Sequence, residues 1–189
     1  LIFTSGINIF ILLAFFCLAI IFLTYLIIYV PKFNYIQGRI LSFFDRETGT
    51  HNFQSDKAID SITSGGFFGK GIGEGILKNR VPEAHTDYII SVISEEFGVV
   101  AIMLILLLFL IFIYMVFKKI SFETDDKIKL ILIGSISLIL MQATIHIGVN
   151  IRLFPTTGMT LPFLSYGGSS IISTSILAGI ILNLTKRKI

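Results

Sequence analysis

Five ionisable residues stand at the head of a long apolar run in the middle of the chain. Residues 81–100 read VPEAHTDYIISVISEEFGVV, and the ionisable positions are Glu83, His85, Asp87, Glu95 and Glu96. After Glu96 no charged residue appears until Lys118. Ionisable groups that enter a bilayer are costly and commonly mark functional sites. A carboxylate at such a place can accept a proton from a reacting group.

The elements that must position these residues are membrane helices. Hydrophobic residues make up 54% of the 189 positions, and the mean hydropathy of +0.88 is far above that of soluble domains. A spanning helix needs about 20 apolar residues. The sequence therefore predicts an all-α integral membrane protein, one membrane domain over residues 1–189, with four transmembrane helices at about 9–30, 97–117, 130–151 and 161–184.

The placement of basic residues predicts the orientation of these spans. The short segment 118–129 holds four lysines, and the chain ends in Lys186, Arg187 and Lys188. Short basic segments stay in the cytoplasm. We therefore expect segment 118–129 and both ends of the chain to be cytoplasmic. Segment 31–96 is expected to form one large extracytoplasmic loop, and the short turn near 152–160 is also expected to lie outside. The only cysteine is Cys17, so no intrachain disulfide can form, and no nucleic-acid-binding pattern is present.

The outer segment contains a short predicted helix and a glycine-rich run. Residues 55–66 have a Ser cap, helical apolar spacing and a Gly-Gly stop. The run GGFFGKGIGEGILKNR at 65–80 lacks the Ser or Thr after Gly-Lys, and the preceding strand, that a phosphate-binding loop requires. We interpret it as a bend that lets backbone approach a neighbour or a ligand. Its cations could also meet an anionic headgroup: Lys70, Lys78 and Arg80.

From Pro82 the pattern predicts a helix with one polar face. At helical spacing this face carries Asp87, Ser91, Ser94, Glu95 and Gly98. An alternative is that these acids only stabilise the start of the helix by complementing its dipole. For Asp87 we favour a functional role, because it stands where the polar face enters lipid.

A second unusual stretch joins the last two spans. In NIRLFPTTGMTLPFLSYGGSSIISTS, residues 150–175, two prolines and three glycines interrupt the helix at membrane depth. Such a break is tolerated only against protein or a water-filled cavity. Small residues then recur every four positions and favour close helix packing. His146 nearby is either a packing histidine or a proton carrier. These features predict a polar outward-facing cleft between the 81–98 helix and the 150–170 loop.

These stretches together resemble the SEDS family, the FtsW, RodA and SpoVE group. PTTGMTLPFLSYGGSS resembles the signature of that family, and PEAHTDYIISVISEEFG resembles its second conserved stretch. GRILSFFD, SGGFFGKGIGEG and the run from Gln142 to Asn150 fit in the same order. HIGVN and MTLP are closer to the division branch than to the elongation branch. The chain departs from the family at His146, usually Asn, and at Arg152, usually Gly.

The resemblance implies a fold and an activity. The family has a ten-span bundle, of which this chain would be the C-terminal part, and it polymerises the disaccharide units of lipid II into peptidoglycan glycan strands. It works in the bacterial plasma membrane, here at the division septum. Its implied partners are a class B penicillin-binding transpeptidase and other division proteins.

The resemblance also implies roles for individual residues. The essential aspartate of the family matches Asp87, which would act as the base. Glu83 and His85 would orient the substrate or face a metal. The departing diphosphate needs cations, either a divalent metal or one of Lys78, Arg80 and Arg152. Within the signature, four residues are expected to bind substrate: Ser165, Tyr166, Gly167 and Gly168.

Two other functions fit some of the same features. A flippase for the lipid-linked precursor would place its ionisable groups near the bilayer midplane, whereas here the carboxylates stand at the outer boundary. A non-catalytic scaffold of the division complex would use the small residues of the last span as an interface.

Overall fold

A computed structural model describes residues 8–44, 50–81 and 84–186, without the side chains of residues 50–52, 78 and 79. The described residues form helices and turns and contain no strand. The helices in order are α1 (Ile9–Tyr29), α2 (Asn34–Phe44), α3 (Thr50–Gly65), α4 (Leu77–Arg80), α5 (Ile89–Phe122), α6 (Asp126–Asn150) and α7 (Gly168–Thr185), with a 3-10 turn at Pro31–Phe33.

Four of these helices are long and apolar enough to cross a membrane: α1, α5, α6 and α7. Each predicted span falls on one of them, so the prediction of an all-α protein with four spans is confirmed. The chain is a multi-pass membrane protein. The predicted fourth span begins at 161, but α7 begins only at Gly168, since the segment before it is bonded to the residues that precede α5.

The chain divides into two compact units, Leu1–Asn52 and Phe53–Ile189. In the first, α1 is apolar on every side and has no buried residue, as expected of a helix that faces lipid. Asn8 caps it by accepting a hydrogen bond from Phe10 N at 3.1 Å. In α2, the Arg39 guanidinium lies 4.5 Å from the centre of the Tyr35 ring. The description of residues 1–189 as one membrane domain stays a prediction.

In the second unit α5, α6 and α7 pack around two apolar clusters. The larger joins five buried residues from all three helices: Val116, Leu132, Ile136, Ile139 and Ile181. The smaller joins Ile90, Ala143 and Leu161. Burying an aliphatic side chain contributes about 1.5–3 kcal/mol in water, but apolar burial gives little between helices in lipid, so packing contacts hold these clusters together.

The predicted short helix at 55–66 is confirmed as part of α3. It packs over the start of α5 and the end of α6 through a third apolar cluster. Its buried members come from α3 to α6 and the turn before α5: Ala58, Leu77, Val81, Ala84, Tyr88, Val92 and Val149. The outer segment is therefore anchored on the helix ends that carry the ionisable residues.

Candidate active site around Asp87

Asp87 lies in a turn immediately before α5. We expected a helix from Pro82, but α5 begins at Ile89, and its cap residue Tyr88 has φ −121° and ψ 26°. The helical expectation is therefore wrong for residues 84–88, which we call the Asp87 turn. Tertiary hydrogen bonds, described next, hold its main chain in a non-helical path.

Asn150, the last residue of α6, joins the Asp87 turn to α5. Its Nδ2 donates to the carbonyl oxygen of Asp87 at 2.9 Å. Its Oδ1 accepts from Ser91 Oγ at 2.7 Å and from Ser91 N at 3.3 Å. Asn150 and Ser91 are both fully buried. One side chain thus fixes the main chain on both sides of the start of α5.

The signature loop, residues 155–167, holds the Asp87 turn from the other side. Ser165 Oγ donates to the carbonyl oxygen of Thr86 at 2.7 Å and accepts from Leu161 N at 2.8 Å. Tyr166 N donates to the carbonyl oxygen of His85 at 3.1 Å. The Asp87 turn and the signature loop therefore form one structural unit.

The carboxylate of Asp87 is half-buried and faces the signature loop. A Cβ built on Gly158 would lie 3.6 Å from Asp87 Oδ2. Gly158 has φ +71°, a conformation that residues other than glycine rarely adopt. Glycine at 158 therefore lets the main chain of the signature loop come close to the Asp87 side chain. The prediction that Asp87 stands at a cleft made with the 150–170 loop is supported by this contact.

The other predicted signature residues have different surroundings. Ser165 is buried and acts through its hydroxyl, whereas the Tyr166 side chain is exposed and only its main chain is bonded to the Asp87 turn. Gly167 precedes α7 and Gly168 begins it. A Cβ on Gly168 would meet nothing within 4 Å among the described residues, so no close contact within them requires glycine there.

The predicted cations that the structure describes, Arg152 and Arg80, have different surroundings. Arg152 has φ +58° and forms an ion pair with Asp56 of α3. Arg80 is exposed and lines a cavity of about 180 Å³ together with Lys57 and Lys70. The side chain of Lys78 and all of Glu83 lie outside the described residues. The side chain of His85 is exposed.

The glycine-rich run inserts into a break in α5. Gly98 has φ 77° and ψ −176°, which interrupts the helix. In an intact helix Val99 N and Val100 N would donate to residues 95 and 96. Here they donate to the carbonyl oxygens of Gly66 and Phe67 at 3.0 and 3.3 Å, and Glu95 O and Glu96 O accept from Lys70 N and Gly71 N at 2.9 and 3.1 Å.

Close contact explains the glycines at this junction. A Cβ on Gly69 would lie 2.2 Å from Glu96 O, and one on Gly98 would lie 2.2 Å from Phe67 O. Our interpretation of the run as a bend that lets backbone approach a neighbour is confirmed. We did not expect the break at Gly98, because a single glycine inside an apolar run is compatible with a continuous membrane helix.

The polar face of α5 is buried against protein. Ser91, Ser94 and Glu95 are each at most 2% exposed. Glu95 Oε1 accepts from Lys70 Nζ at 2.9 Å and its Oε2 accepts from Leu77 N at 3.0 Å. Glu95 therefore fastens the glycine-rich run and α4 to α5. This is a structural role, and it accounts for one of the carboxylates in the opening stretch.

His146 lies fully buried one turn before Asn150. Its Nδ1 is 3.4 Å from Asn150 Nδ2, and Asn150 Nδ2 also donates to His146 O at 2.9 Å. Its Nε2 has no hydrogen-bond partner among the described residues. The packing interpretation of His146 therefore accounts for one ring nitrogen only.

Sequence reasoning assigned no role to two polar residues that organise the site, Asn150 and Gln142. Both lie in the run that carried part of the family resemblance, and both are polar positions within an apolar helix, which was the available signal. Gln142 Nε2 donates to Thr160 O at 2.9 Å, to Thr160 Oγ1 at 3.1 Å and to Ser170 Oγ at 2.9 Å.

The expected divalent metal has no ready set of ligands among residues 8–44, 50–81 and 84–186. Within those ranges no three His, Cys, Asp or Glu side chains are grouped as a metal site requires. Mg²⁺ prefers oxygen ligands such as carboxylates. Asp87 could supply one of them, and the remaining ligands would have to come from other groups.

Comparisons with known proteins agree with these motifs. The family model described as "Cell cycle protein", FTSW_RODA_SPOVE, matches residues 1–189. A "Probable peptidoglycan glycosyltransferase FtsW" of Caulobacter vibrioides (strain NA1000 / CB15N) is 36% identical over 158 residues, 82% of this chain and 40% of the relative. The protein so named in Enterococcus hirae is 33% identical over 174 residues, 87% of this chain and 44% of the relative.

A solved structure is also similar. A chain of the structure described as "Structural coordination of polymerization and crosslinking by a peptidoglycan synthase complex" aligns with a TM-score of 0.68 at 28% identity, over 93% of this chain and 47% of that chain. The chain therefore spans less than half the length of the relatives and the structure it matches.

Proposed function

The chain belongs to the FtsW, RodA and SpoVE family of cell cycle proteins, and from that premise we propose that it forms part of a peptidoglycan glycosyltransferase that polymerises lipid II. The observation that carries the proposal is the Asp87 turn. Asn150, Ser165 and Tyr166 fix its main chain, and the carboxylate faces Gly158 of the signature loop. A carboxylate held in this way is suited to act as a general base.

Each addition to the strand requires one proton transfer and one displacement. The Asp87 carboxylate takes the proton of the acceptor sugar hydroxyl, and the hydroxyl oxygen attacks the anomeric carbon of the donor. The bond from that carbon to the diphosphate oxygen breaks, and the diphosphate leaves with the electron pair. Attack on an α-linked donor gives a β link by inversion, so no nucleophile of the protein is needed.

The departing diphosphate carries negative charge that cations would neutralise. Arg80 and Lys78 remain our candidates. Arg80 lines a cavity in which Lys57 and Lys70 are already paired with Asp60 and Glu95, and Lys78 lies two residues before it in α4. Arg152 forms an ion pair with Asp56, so of the three cations it is the least available to a diphosphate. Glu83 and His85 are proposed to orient the substrate. A divalent cation stays a prediction, and no step above passes through one.

We place this reaction at the outer face of the plasma membrane, at the division septum, with both chain ends in the cytoplasm. The partner we propose is a class B penicillin-binding transpeptidase. Support comes from the similar structure, which is that of a complex coordinating polymerisation and crosslinking. The flippase alternative is less well supported, because Asp87 precedes α5 and so stands at its end, away from the midplane where transporter sites lie.

The variant Asp87→Asn tests the catalytic role. Asparagine keeps the size and polarity of aspartate and leaves the carbonyl that Asn150 contacts. In membranes that carry the protein in its native complex, we expect polymerisation of added lipid II to fall by about 10²-fold or more, the scale of losing a general base, with no change in the melting temperature. Asp126→Asn, which alters an exposed carboxylate at the start of α6, should polymerise normally. An Asp87→Asn protein that melts early and polymerises at the normal rate would exclude the catalytic role.

A further inference from the structure

A cavity lined by hydroxyl and amide groups lies next to Gly158 of the signature loop. Its volume is about 360 Å³, near the lower end of the range of roughly 300–1,000 Å³ for small-molecule sites. Its polar lining comes from α6, the signature loop and the start of α7. We call it the hydroxyl cavity, and its principal lining residues are Gln142, Gly158, Thr160, Ser169, Ser170 and Ser173.

The wall of the hydroxyl cavity is held in place by its own hydrogen bonds. Gln142 reaches from α6 to Thr160 and Ser170 with bonds of 2.9–3.1 Å. Thr160 Oγ1 donates to Ser170 Oγ at 2.6 Å, and Ser173 Oγ donates to Ser169 O at 2.9 Å. Three elements are thus tied together before any ligand binds, so little ordering cost remains for binding.

Two polar atoms of this wall remain available to a ligand. Within the part of the chain that the structure describes, neither Gln142 Oε1 nor Ser169 Oγ has a side-chain or main-chain partner. An amide oxygen and a hydroxyl can together accept and donate hydrogen bonds. Met159 adds an apolar surface to the same cavity. Hydroxyl and amide partners beside an apolar surface match the faces of a sugar ring.

The absence of charged residues in the described lining of the cavity indicates which part of a lipid-linked sugar fits there. All seven of its lining residues are uncharged. A diphosphate placed there would lose water without gaining a cation, which is unfavourable. An N-acetylhexosamine ring carries only hydroxyls, ring oxygens and an amide, and can be satisfied by neutral groups. The cavity therefore favours a neutral sugar over the diphosphate.

The position of Gly158 connects the cavity with the proposed base. Gly158 lines the cavity, and its missing Cβ would lie 3.6 Å from Asp87 Oδ2. The cavity and the carboxylate therefore share Gly158 as a neighbour, and a ring bound in the cavity lies close enough to present a hydroxyl to Asp87. The sugar that must approach a base is the one whose hydroxyl attacks, that is, the acceptor.

We propose that the hydroxyl cavity binds the terminal N-acetylhexosamine ring of the acceptor, with Gln142 as the residue that positions its wall. The proposal rests on the proposed glycosyltransferase function and names the part of the substrate that this region recognises. The diphosphate of the donor is then bound elsewhere.

Protection of a cysteine tests this binding directly. Ser173→Cys is made with Cys17→Ser, since Cys17 is the only native cysteine, and maleimide labelling is followed in membranes that carry the protein in its native complex. The probes are N,N′-diacetylchitobiose, a neutral disaccharide, and inorganic diphosphate. A probe at about ten times its Kd slows labelling about tenfold. We expect this for the disaccharide, no protection by diphosphate, and no protection by sucrose at the same concentration.

Variants of the wall connect protection with the named residues. Gln142→Leu should abolish protection by the disaccharide, and the milder Ser170→Ala should weaken it. Gln54→Leu, the same change on α3, should leave it intact. Absence of protection by the disaccharide would overturn the proposal. So would protection by diphosphate alone, or protection that persists in a folded Gln142→Leu variant.

The same samples separate this proposal from the proposed function. Asp87→Asn should keep the protection by the disaccharide while it loses polymerisation. If the unaltered protein shows protection but never polymerises lipid II, the glycosyltransferase proposal fails and the sugar site stands. If the protein polymerises lipid II but the disaccharide gives no protection, the sugar-site proposal fails and the glycosyltransferase proposal stands.

Discussion

The side chain of Asn150 donates a hydrogen bond of 2.9 Å to the main-chain carbonyl of Asp87, 63 residues earlier in the sequence. The bond joins the end of α6 to the turn that carries the proposed base. The same side chain accepts two hydrogen bonds from Ser91. The position of Asp87 is therefore supported through its main chain.

Asn150→Ala should move Asp87, the proposed base, while leaving its side chain chemically unchanged. The change removes the hydrogen bonds that Asn150 makes to the Asp87 carbonyl and to Ser91, and a buried group left unsatisfied costs about 1–3 kcal/mol. We expect a lower melting temperature and a fall in polymerisation of about 10- to 100-fold, because small misplacements of catalytic groups are costly. Asn183→Ala, at an exposed position of α7, should change neither. Normal turnover by Asn150→Ala would show that Asp87 does not need this support.

Gly98→Ala should destabilise the junction between α5 and the glycine-rich run. The new Cβ would lie 2.2 Å from Phe67 O, at a residue with φ 77°, and the backbone strain alone costs about 1–3 kcal/mol. The matched change Gly179→Ala in α7 meets nothing within 4 Å and should be neutral or stabilising by up to about 1 kcal/mol. Melting temperatures of the two variants in detergent compare them. Equal values would mean that the break at Gly98 is not required.

Arg152→Gly should be nearly neutral for stability. Glycine relieves the left-handed conformation at φ +58°, which costs a residue with a side chain about 1–2 kcal/mol. It also removes the ion pair with Asp56, and partly exposed pairs contribute about 0–1 kcal/mol. Asp56→Ala loses the same pair without that relief, so it should melt at a lower temperature than Arg152→Gly. The reverse order of melting temperatures would mean that the ion pair outweighs the strain.

Cysteine labelling tests the proposed orientation. With Cys17→Ser as background, Asp60→Cys and Thr156→Cys should react with an impermeant maleimide in intact cells, because both positions are expected outside. Thr124→Cys, between α5 and α6, should react only after permeabilisation, as expected of a short basic cytoplasmic segment. Labelling of the Thr124→Cys variant in intact cells would contradict the orientation.

The sequence by itself determined the class of the protein and the location of its chemistry. Four apolar runs longer than the bilayer requires leave few alternatives to membrane helices, since backbone groups in lipid must bond within their own segment. Asp87 was identified from the few charged residues near the spans, and the signature at 155–168 from its prolines and glycines and from the family resemblance. Local spacing also predicted α3 and the bend in the glycine-rich run.

Only the tertiary structure decided how those parts are held together. Asp87 lies in a turn because Asn150, Ser165 and Tyr166 bond its main chain from distant positions. Glu95 accepts hydrogen bonds from Lys70 and Leu77 and so has a structural role, although in the sequence it resembled the other acids. Hydrogen bonds between residues 18 to 81 positions apart leave no periodic pattern along the chain. The path of the Asp87 turn, the break at Gly98 and the hydroxyl cavity therefore follow from contacts that exist only once the helices have packed.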